Sequence, residues 1–101
     1  MSDLPKLSDL QAATDQNRLD FLRADLGICF TFADLAKTER EIGDRAAAAR
    51  ILDKAEAGYA TILRISADVK TAEQKCEIAQ KVAELRARLD GERYCLNALP
   101  T

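Results

Sequence analysis

The chain of 101 residues contains no histidine and no tryptophan, and only two prolines and four glycines. Without histidine, acid–base catalysis falls to carboxylates, lysine, tyrosine or cysteine, and the usual Cys/His zinc sites and Glu-x-x-His di-metal motifs are excluded. No two glycines have the spacing of a phosphate-binding loop. The carboxylate pairs Glu39/Glu41 and Glu73/Glu77 lie in polar stretches, which is typical of solvated helix surface. We therefore expect a non-enzymatic protein with no catalytic, cofactor-binding or metal-binding residues.

An excess of basic charge is also lacking, because 15 Lys and Arg are set against 17 Asp and Glu. This balance predicts no nucleic-acid partner and no attraction to an anionic membrane. No run approaches the roughly 20 apolar residues that span a bilayer, and the first ten residues carry acids and a proline rather than a signal sequence. The three cysteines, Cys29, Cys76 and Cys95, include no Cys-x-x-Cys pair. These features predict a cytoplasmic protein with free thiols.

What the chain does have is long stretches without a helix breaker, rich in alanine, which predicts an all-α protein. Helices are predicted over about 15–42, 45–65 and 69–90. Gly43 supplies a left-handed turn and Asp44 the next N-cap, whereas either Asp68 or Thr71 can cap the third helix. The fold expected is an up-down-up bundle of three long antiparallel helices. The predicted organisation is a flexible N-terminal arm (1–13), a three-helix bundle (14–91, with the third helix ending at Gly91) and a C-terminal tail (92–101) able to fold back.

The first predicted helix is apolar over more than half of its circumference. One flank contains Leu19, Leu22, Leu26, Cys29, Phe30 and Ala33. The adjoining flank contains Phe21, Ile28, Phe32 and Leu35. Because one neighbouring helix cannot cover both flanks, a third helix or a partner chain is needed to cover the second.

The third predicted helix carries two separate seams. Its large residues are Ile78, Val82, Leu85 and Leu89, at coiled-coil spacing. Its small residues are Ala72, Cys76, Ala79, Ala83 and Ala87. Lys75 and Arg86 lie between the seams, so one seam is expected to face another molecule. The small-residue seam is the predicted partner-binding site, for a protein partner or for a second copy in a homo-oligomer.

Several single residues have two interpretations. In the first interpretation, the core includes Phe30, Tyr59 and Cys76. In the second, the same three residues line an apolar cavity for a small ligand, and the alternative function is that of a ligand-binding or sensory bundle. Cys29 and Cys76 are expected to pack as small hydrophobes, and Cys95 to be exposed. Glycine inside a helix lowers helix stability, so Gly27 and Gly58 need an explanation. A close crossing of two helices, with Gly27 opposite Ala60 and Gly58 opposite Cys29, explains both glycines. A partner chain approaching Gly27, or no structural role, stays open.

The first two predicted helices resemble a tetratricopeptide repeat. Leu26, Gly27 and Phe30 match the second half of its first-helix pattern, and Ala48, Leu52 and Ala55 match its second helix. Arg23 and Ala60 replace the family's first aromatic and closing proline. The three-helix layout is also similar to microtubule-interacting and transport domains. Both resemblances imply binding of a peptide or helix in an inter-helical groove, and the repeat's ligand-facing positions correspond to Phe21, Ala24, Ile28 and Phe32. Because most of these are apolar, we expect the third helix to cover them.

Overall fold

The protein is a bundle of three antiparallel helices that run up, down and up, and each helix packs on the other two. The computed structural model describes the backbone of residues 7–98 and the side chains of residues 14–98. Its helices are α1 (Leu7–Glu41), α2 (Arg45–Ser66) and α3 (Ala72–Asn97). The prediction of an all-α, three-helix, up-down-up fold is therefore confirmed.

The N-terminal end of α1 differs from the prediction. The helix begins at Leu7, within the arm predicted over 1–13, and residues 1–6 lie outside the described part of the chain. The polar run before Leu19 does not interrupt the helix, because Arg18 pairs with Asp15 one turn earlier at 3.2 Å. The Arg18 guanidinium also donates to the carbonyl of Asp68, in the connection between α2 and α3. Polar residues thus continue the helix instead of ending it.

The C-terminal end of α3 also differs, because the helix continues through Gly91 to Asn97. Glu92 and Leu96 are both buried, and Arg45 donates to the carbonyl of Leu96 at 2.9 Å. These long-range contacts hold the segment after Gly91 in the helix. The prediction of a helix end at Gly91 and of a tail that folds back is wrong for residues 92–98, and residues 99–101 lie outside the described chain.

The two connections have the expected chemistry. Gly43 has φ of 93°, in the left-handed region that favours glycine, which confirms its predicted role. The Asp44 side chain caps α2 by accepting a hydrogen bond from the backbone N–H of Ala47. Of the two candidate caps for α3, Thr71 is the one used, because its hydroxyl accepts from the N–H of Gln74.

The core is a line of leucine, isoleucine and alanine side chains between the helices. The first flank of α1 is buried as predicted, except that Phe30 is half-buried. On α3 the large-residue seam forms the core contact, with Ile78, Leu85 and Leu89 buried and Val82 half-buried. The largest side chains that are almost fully buried are Leu22, Leu52, Ile62, Leu85, Leu89 and Cys29.

The helix crossing between α1 and α2 is close at Gly58. A methyl group at this position would lie 2.6 Å from Sγ of Cys29, so only glycine fits without a shift. The Cys29 thiol in turn lies 3.8 Å from the carbonyl oxygen of Ala55. Gly27 is different, because a methyl group there would meet nothing within 4 Å. The predicted close approach is confirmed at Gly58 and is wrong at Gly27.

Arginine side chains attach α3 to the other two helices. Among residues 14–98, every ion pair that joins two helices has one partner on α3. The pairs are Arg23–Glu77, Arg88–Asp34 and Arg40–Glu92 with α1, and Arg86–Glu56 and Arg93–Asp53 with α2. Glu92, which is only 8% exposed, takes both Arg40 and Arg88 at 3.4 Å. The α1–α2 hairpin is held mainly by apolar packing.

Candidate functional site

The predicted small-residue seam lies on the surface of α3. Its members Ala72, Cys76, Ala79, Ala83 and Ala87 are all exposed. The first of these comes directly after the Thr71 cap, and the seam then follows one side of α3 away from the buried Ile78, Leu85 and Leu89. The structure therefore leaves this seam uncovered by the described part of the chain.

Three seam residues, Ala79, Ala83 and Ala87, form one wall of an open groove between α2 and α3. Tyr59 and Leu63 of α2 form the opposite wall, and the groove has a volume of about 800 Å³. Lys75 and Asp90 mark its two ends on α3, which at 1.5 Å per residue are roughly 22 Å apart. This length corresponds to about four helical turns. We call this feature the α2–α3 groove; Ala72 and Cys76 are outside its lining.

An arginine fixes one end of the α2–α3 groove. The Arg86 guanidinium donates two hydrogen bonds to the Glu56 carboxylate, at 2.6 and 2.8 Å, and two to Oδ1 of Asp90, at 2.6 and 3.0 Å. These bonds hold the pKa of Glu56 below its usual value and that of Arg86 above its usual value. The guanidinium carbon also lies 4.8 Å from the centre of the Tyr59 ring, in cation–π geometry. Arg86 is therefore a rigid part of the groove wall.

The other end of the α2–α3 groove carries a free positive charge. Lys75 is exposed, lines the groove and forms no ion pair with a described residue. The groove thus has one arginine with two carboxylates, a net negative charge, at the Asp90 end and an unpaired lysine at the opposite end. Between the two ends its walls are mainly apolar. Such a surface can bind an apolar helix and select its direction.

A second apolar surface lies on α1, where the structure corrects an expectation. Phe21, Ile28 and Leu35 are 50%, 51% and 46% exposed, and Ile42, just beyond the end of α1, is 71% exposed. These four residues, spaced seven apart, are called the α1 stripe. The third helix does not cover them, because it packs on another side of α1. The ion pairs of α3 with Arg23 and Asp34 mark that side.

The positions that the tetratricopeptide resemblance assigns to ligand binding lie on the same surface. Phe21, Ala24 and Ile28 are exposed, and Phe32 is half-buried against the core. The sequence did not predict this exposure, because a periodic apolar pattern shows which side of a helix is apolar but not whether a neighbour covers it. The seven-residue spacing of the α1 stripe was the sequence feature that could have indicated an exposed apolar surface.

The residues proposed for a small-ligand cavity are not brought together. Tyr59 lines the α2–α3 groove, whereas Phe30 lines a separate depression of about 380 Å³ between α1 and α3. Cys76 is exposed and belongs to neither lining. The alternative function as a sensory bundle stays a prediction, and none of these observations favours it.

The three cysteines differ in environment. Cys29 is buried as expected and Cys95 is exposed as expected, but Cys76 is exposed and its predicted packing role is wrong. The reason is that the small-residue seam of α3, on which Cys76 lies, faces outward. Burial, and to a lesser extent the negative charge of Asp25, raises the pKa of the Cys29 thiol to about 11.

We expect two thiols, Cys76 and Cys95, to react with a disulfide reagent at pH 8, and Cys29 to react only after denaturation. Because the folded pKa is raised above that of the unfolded chain, burial of the neutral Cys29 thiol stabilises the fold fully below pH 9 and less as the pH rises towards 11. The stability difference between the unaltered chain and Cys29→Ala should therefore narrow over this interval. Rapid reaction of all three thiols in the folded state would contradict this assignment.

Other kinds of site are not formed by the described residues. Within them, no cluster of three Cys, Asp or Glu side chains is arranged to hold a metal ion. The helices of residues 7–98 also include none with the length and apolar character needed to cross a membrane. The features that the structure does build are the α2–α3 groove and the α1 stripe.

The fold and surfaces together define a small three-helix bundle with two exposed apolar surfaces. Comparison with protein-family models, with curated proteins and with solved structures finds no match to this chain.

Proposed function

We propose that this chain is a non-catalytic helical interaction domain whose α2–α3 groove binds one helix of a protein partner. The observation that carries the proposal is the α2–α3 groove itself, an open apolar channel bounded by Tyr59 and Leu63 on one side and Ala79, Ala83 and Ala87 on the other. Its estimated length of about four turns suits a helix of roughly 15 residues.

The small side chains support a helix as the occupant. Packed helices have axes about 8–10 Å apart, and the smaller distances require alanine or glycine at the contact. Ala79, Ala83 and Ala87 lie four residues apart, so they form one continuous ridge with room beside it for the large side chains of a partner. Leu63, which is 44% exposed, supplies apolar surface opposite this ridge.

The charges at the two ends support a preferred direction. A helix carries partial positive charge at its N-terminus and partial negative charge at its C-terminus. Lys75 is unpaired and favours the C-terminal end of the bound helix, whereas Asp90 favours the N-terminal end. The partner helix would then run antiparallel to α3.

The experiment compares two glutamate substitutions at exposed alanines. Helical peptides of about 20 residues are selected from a displayed library against the unaltered chain, and their binding to Ala83→Glu and Ala24→Glu is then measured. Ala83 lines the α2–α3 groove, whereas Ala24 is exposed on α1. We expect Ala83→Glu to weaken binding at least ten-fold and Ala24→Glu to leave it unchanged.

Stability measurements make this test decisive. Because Ala83 is exposed, the free energy of unfolding of Ala83→Glu should be within about 0.5 kcal/mol of that of the unaltered chain. Selected helices that bind Ala83→Glu as tightly as the unaltered chain would show that the groove is not the binding site. Unfolding of the isolated Ala83→Glu domain would show that this seam belongs to the core, and the proposal would fail.

A further inference from the structure

The α1 stripe is a second surface, independent of the α2–α3 groove. Phe21, Ile28, Leu35 and Ile42 are large apolar residues, and each is between 46% and 71% exposed. Positions seven residues apart drift by only about 20° around a helix, so the four side chains form a nearly straight line. A repeat of seven is the spacing of one core position in a coiled coil.

We propose that the α1 stripe is the interface of a homodimer, in which α1 packs against α1 of a second copy, parallel and in register. Each stripe residue then meets its own copy across a twofold axis that runs along the helices. This inference is separate from the proposed helix-binding groove, which lies between α2 and α3 and stays open in such a dimer.

Charge complementarity selects a second copy as the occupant. Asp20, Asp34 and Glu41 follow the side of the stripe that is nearer to α3, as the Asp34–Arg88 pair shows. Although each has an ion pair, these carboxylates are 61%, 70% and 56% exposed and can take a further partner. They form the acidic edge of the surface.

The basic counterpart is on α2. Arg50, Lys54 and Arg64 are exposed and form no ion pair with a described residue. They lie on the outward side of α2, between Gly58, which faces α1, and Asp53, which pairs with Arg93 of α3. One face of the α1–α2 layer therefore carries the α1 stripe. The acidic edge lies beside the stripe on the side away from α2, and the unpaired basic residues lie on α2.

The levels of these charges along the bundle match. The short turn at Gly43 and the Cys29–Gly58 contact fix which residues of α1 and α2 lie side by side. A residue of α1 lies at the same level as the residue of α2 for which the two residue numbers add to about 86. Asp20 is thus about two residues, or roughly 3 Å along the axis, from the level of Arg64. Asp34 lies equally close to the levels of Arg50 and Lys54, one on either side.

A twofold axis parallel to the helices leaves each residue at the same level along the bundle. It places the α2 side of one copy opposite the acidic edge of the other. The acidic edge of α1 in one copy then lies over the basic side of α2 in the other. An antiparallel pairing of the stripes instead sets acidic edge against acidic edge and basic helix against basic helix. With α1 stacked on α1, the two copies overlap over about 33 Å by 10 Å from the helix geometry, and the contact of each acidic edge with α2 of the other copy widens this surface.

The test uses a single cysteine on the α1 stripe. Ile28→Cys is made together with Cys76→Ser and Cys95→Ser, which leaves the buried Cys29 as the only other thiol. In the parallel, in-register dimer, residue 28 of one copy faces residue 28 of the other, so oxidised glutathione should give a disulfide-linked dimer in high yield. Gly91→Cys in the same background is the matched control at an exposed position on α3, and should stay monomeric under denaturing conditions.

Solution mass and charge exchange complete the test. Sedimentation equilibrium should give a dimer for the unaltered chain and for Ala83→Glu, but a folded monomer for Ile28→Glu. Arg64→Glu should raise the dimer dissociation constant at least ten-fold. Asp20→Arg added to Arg64→Glu should recover most of the lost dimer affinity.

Three results would overturn the inference. These are a monomeric unaltered chain at 100 µM or more, a dimer that survives Ile28→Glu, and an Ile28→Cys variant that does not cross-link with itself. A dimer lost with Ala83→Glu but not with Ile28→Glu would instead place self-association in the α2–α3 groove.

Discussion

Replacement of Leu85 by alanine should lower the free energy of unfolding by about 2–5 kcal/mol. Leu85 is fully buried on the large-residue seam of α3, and its loss removes apolar contacts and leaves a cavity between the three helices. Because a domain of this size has only about 5–15 kcal/mol of stability, the effect should be visible as a large shift of the urea midpoint.

The matched control is Leu63→Ala on α2. Leu63 is 44% exposed on the wall of the α2–α3 groove, so its removal should cost less than about 1 kcal/mol. An equal loss of stability in the two variants would mean that Leu63 is covered in the isolated domain, which contradicts an open groove.

The second large effect is expected at Gly58. Gly58→Ala places a methyl group 2.6 Å from Sγ of Cys29, and the crossing of α1 and α2 has to open to relieve this overlap. Overpacking of this kind costs about 1–3 kcal/mol, which exceeds the gain in helix propensity from glycine to alanine. Gly27→Ala is the control, since a methyl group meets nothing there, and should raise stability by about 0.5–1 kcal/mol.

A double-mutant cycle tests the cause of the Gly58 effect. Cys29→Ala removes the sulfur that the new methyl group would meet, so Gly58→Ala should cost much less in that background. Additive effects of the two substitutions, measured by urea denaturation, would show that Cys29 is not the reason why glycine is needed.

Local signals were enough to predict the hairpin. Gly43 and Asp44 have conformational and capping preferences that act over a few residues, and the structure uses both as expected. The 3.6-residue periodicity likewise predicted the buried flank of α1 and the large-residue seam of α3. These features depend on the sequence nearby and on which side of a helix is apolar.

The C-terminal end of α3 depended on contacts that the local sequence does not contain. Gly91 carries the usual signal for a helix end, but Glu92 is held by Arg40 of α1 and Leu96 is anchored by Arg45 of α2. Partners more than 50 residues away in sequence thus overcame the local preference of one glycine. Single-sequence reasoning has no access to such pairs.

The candidate surfaces were predicted only in part. The sequence indicated that one seam of α3 faces outward, and all five of its residues are exposed. It did not indicate the opposite wall, because Tyr59 and Leu63 fall on the same apolar stripe of α2 as the buried Leu52 and Ile62. Whether such a stripe is wide enough to leave its margin in solvent depends on the angle between packed helices, which the pattern of apolar residues does not specify.

The attachment of α3 by arginine side chains gives the bundle two kinds of cohesion. The α1–α2 hairpin is closed by a short turn and apolar contacts, on which ionic strength has little influence. Four of the five inter-helix ion pairs of α3 are partly exposed, so dissolved salt screens them, whereas the Arg40–Glu92 pair is largely buried and is screened less. Salt therefore weakens the ionic part of α3 docking, while the apolar contacts of Ile78, Leu85 and Leu89 continue to hold α3 on the hairpin. One of these pairs, Arg86–Glu56, lies at the wall of the α2–α3 groove, so dissolved salt weakens the ionic contact at the edge of the proposed binding surface.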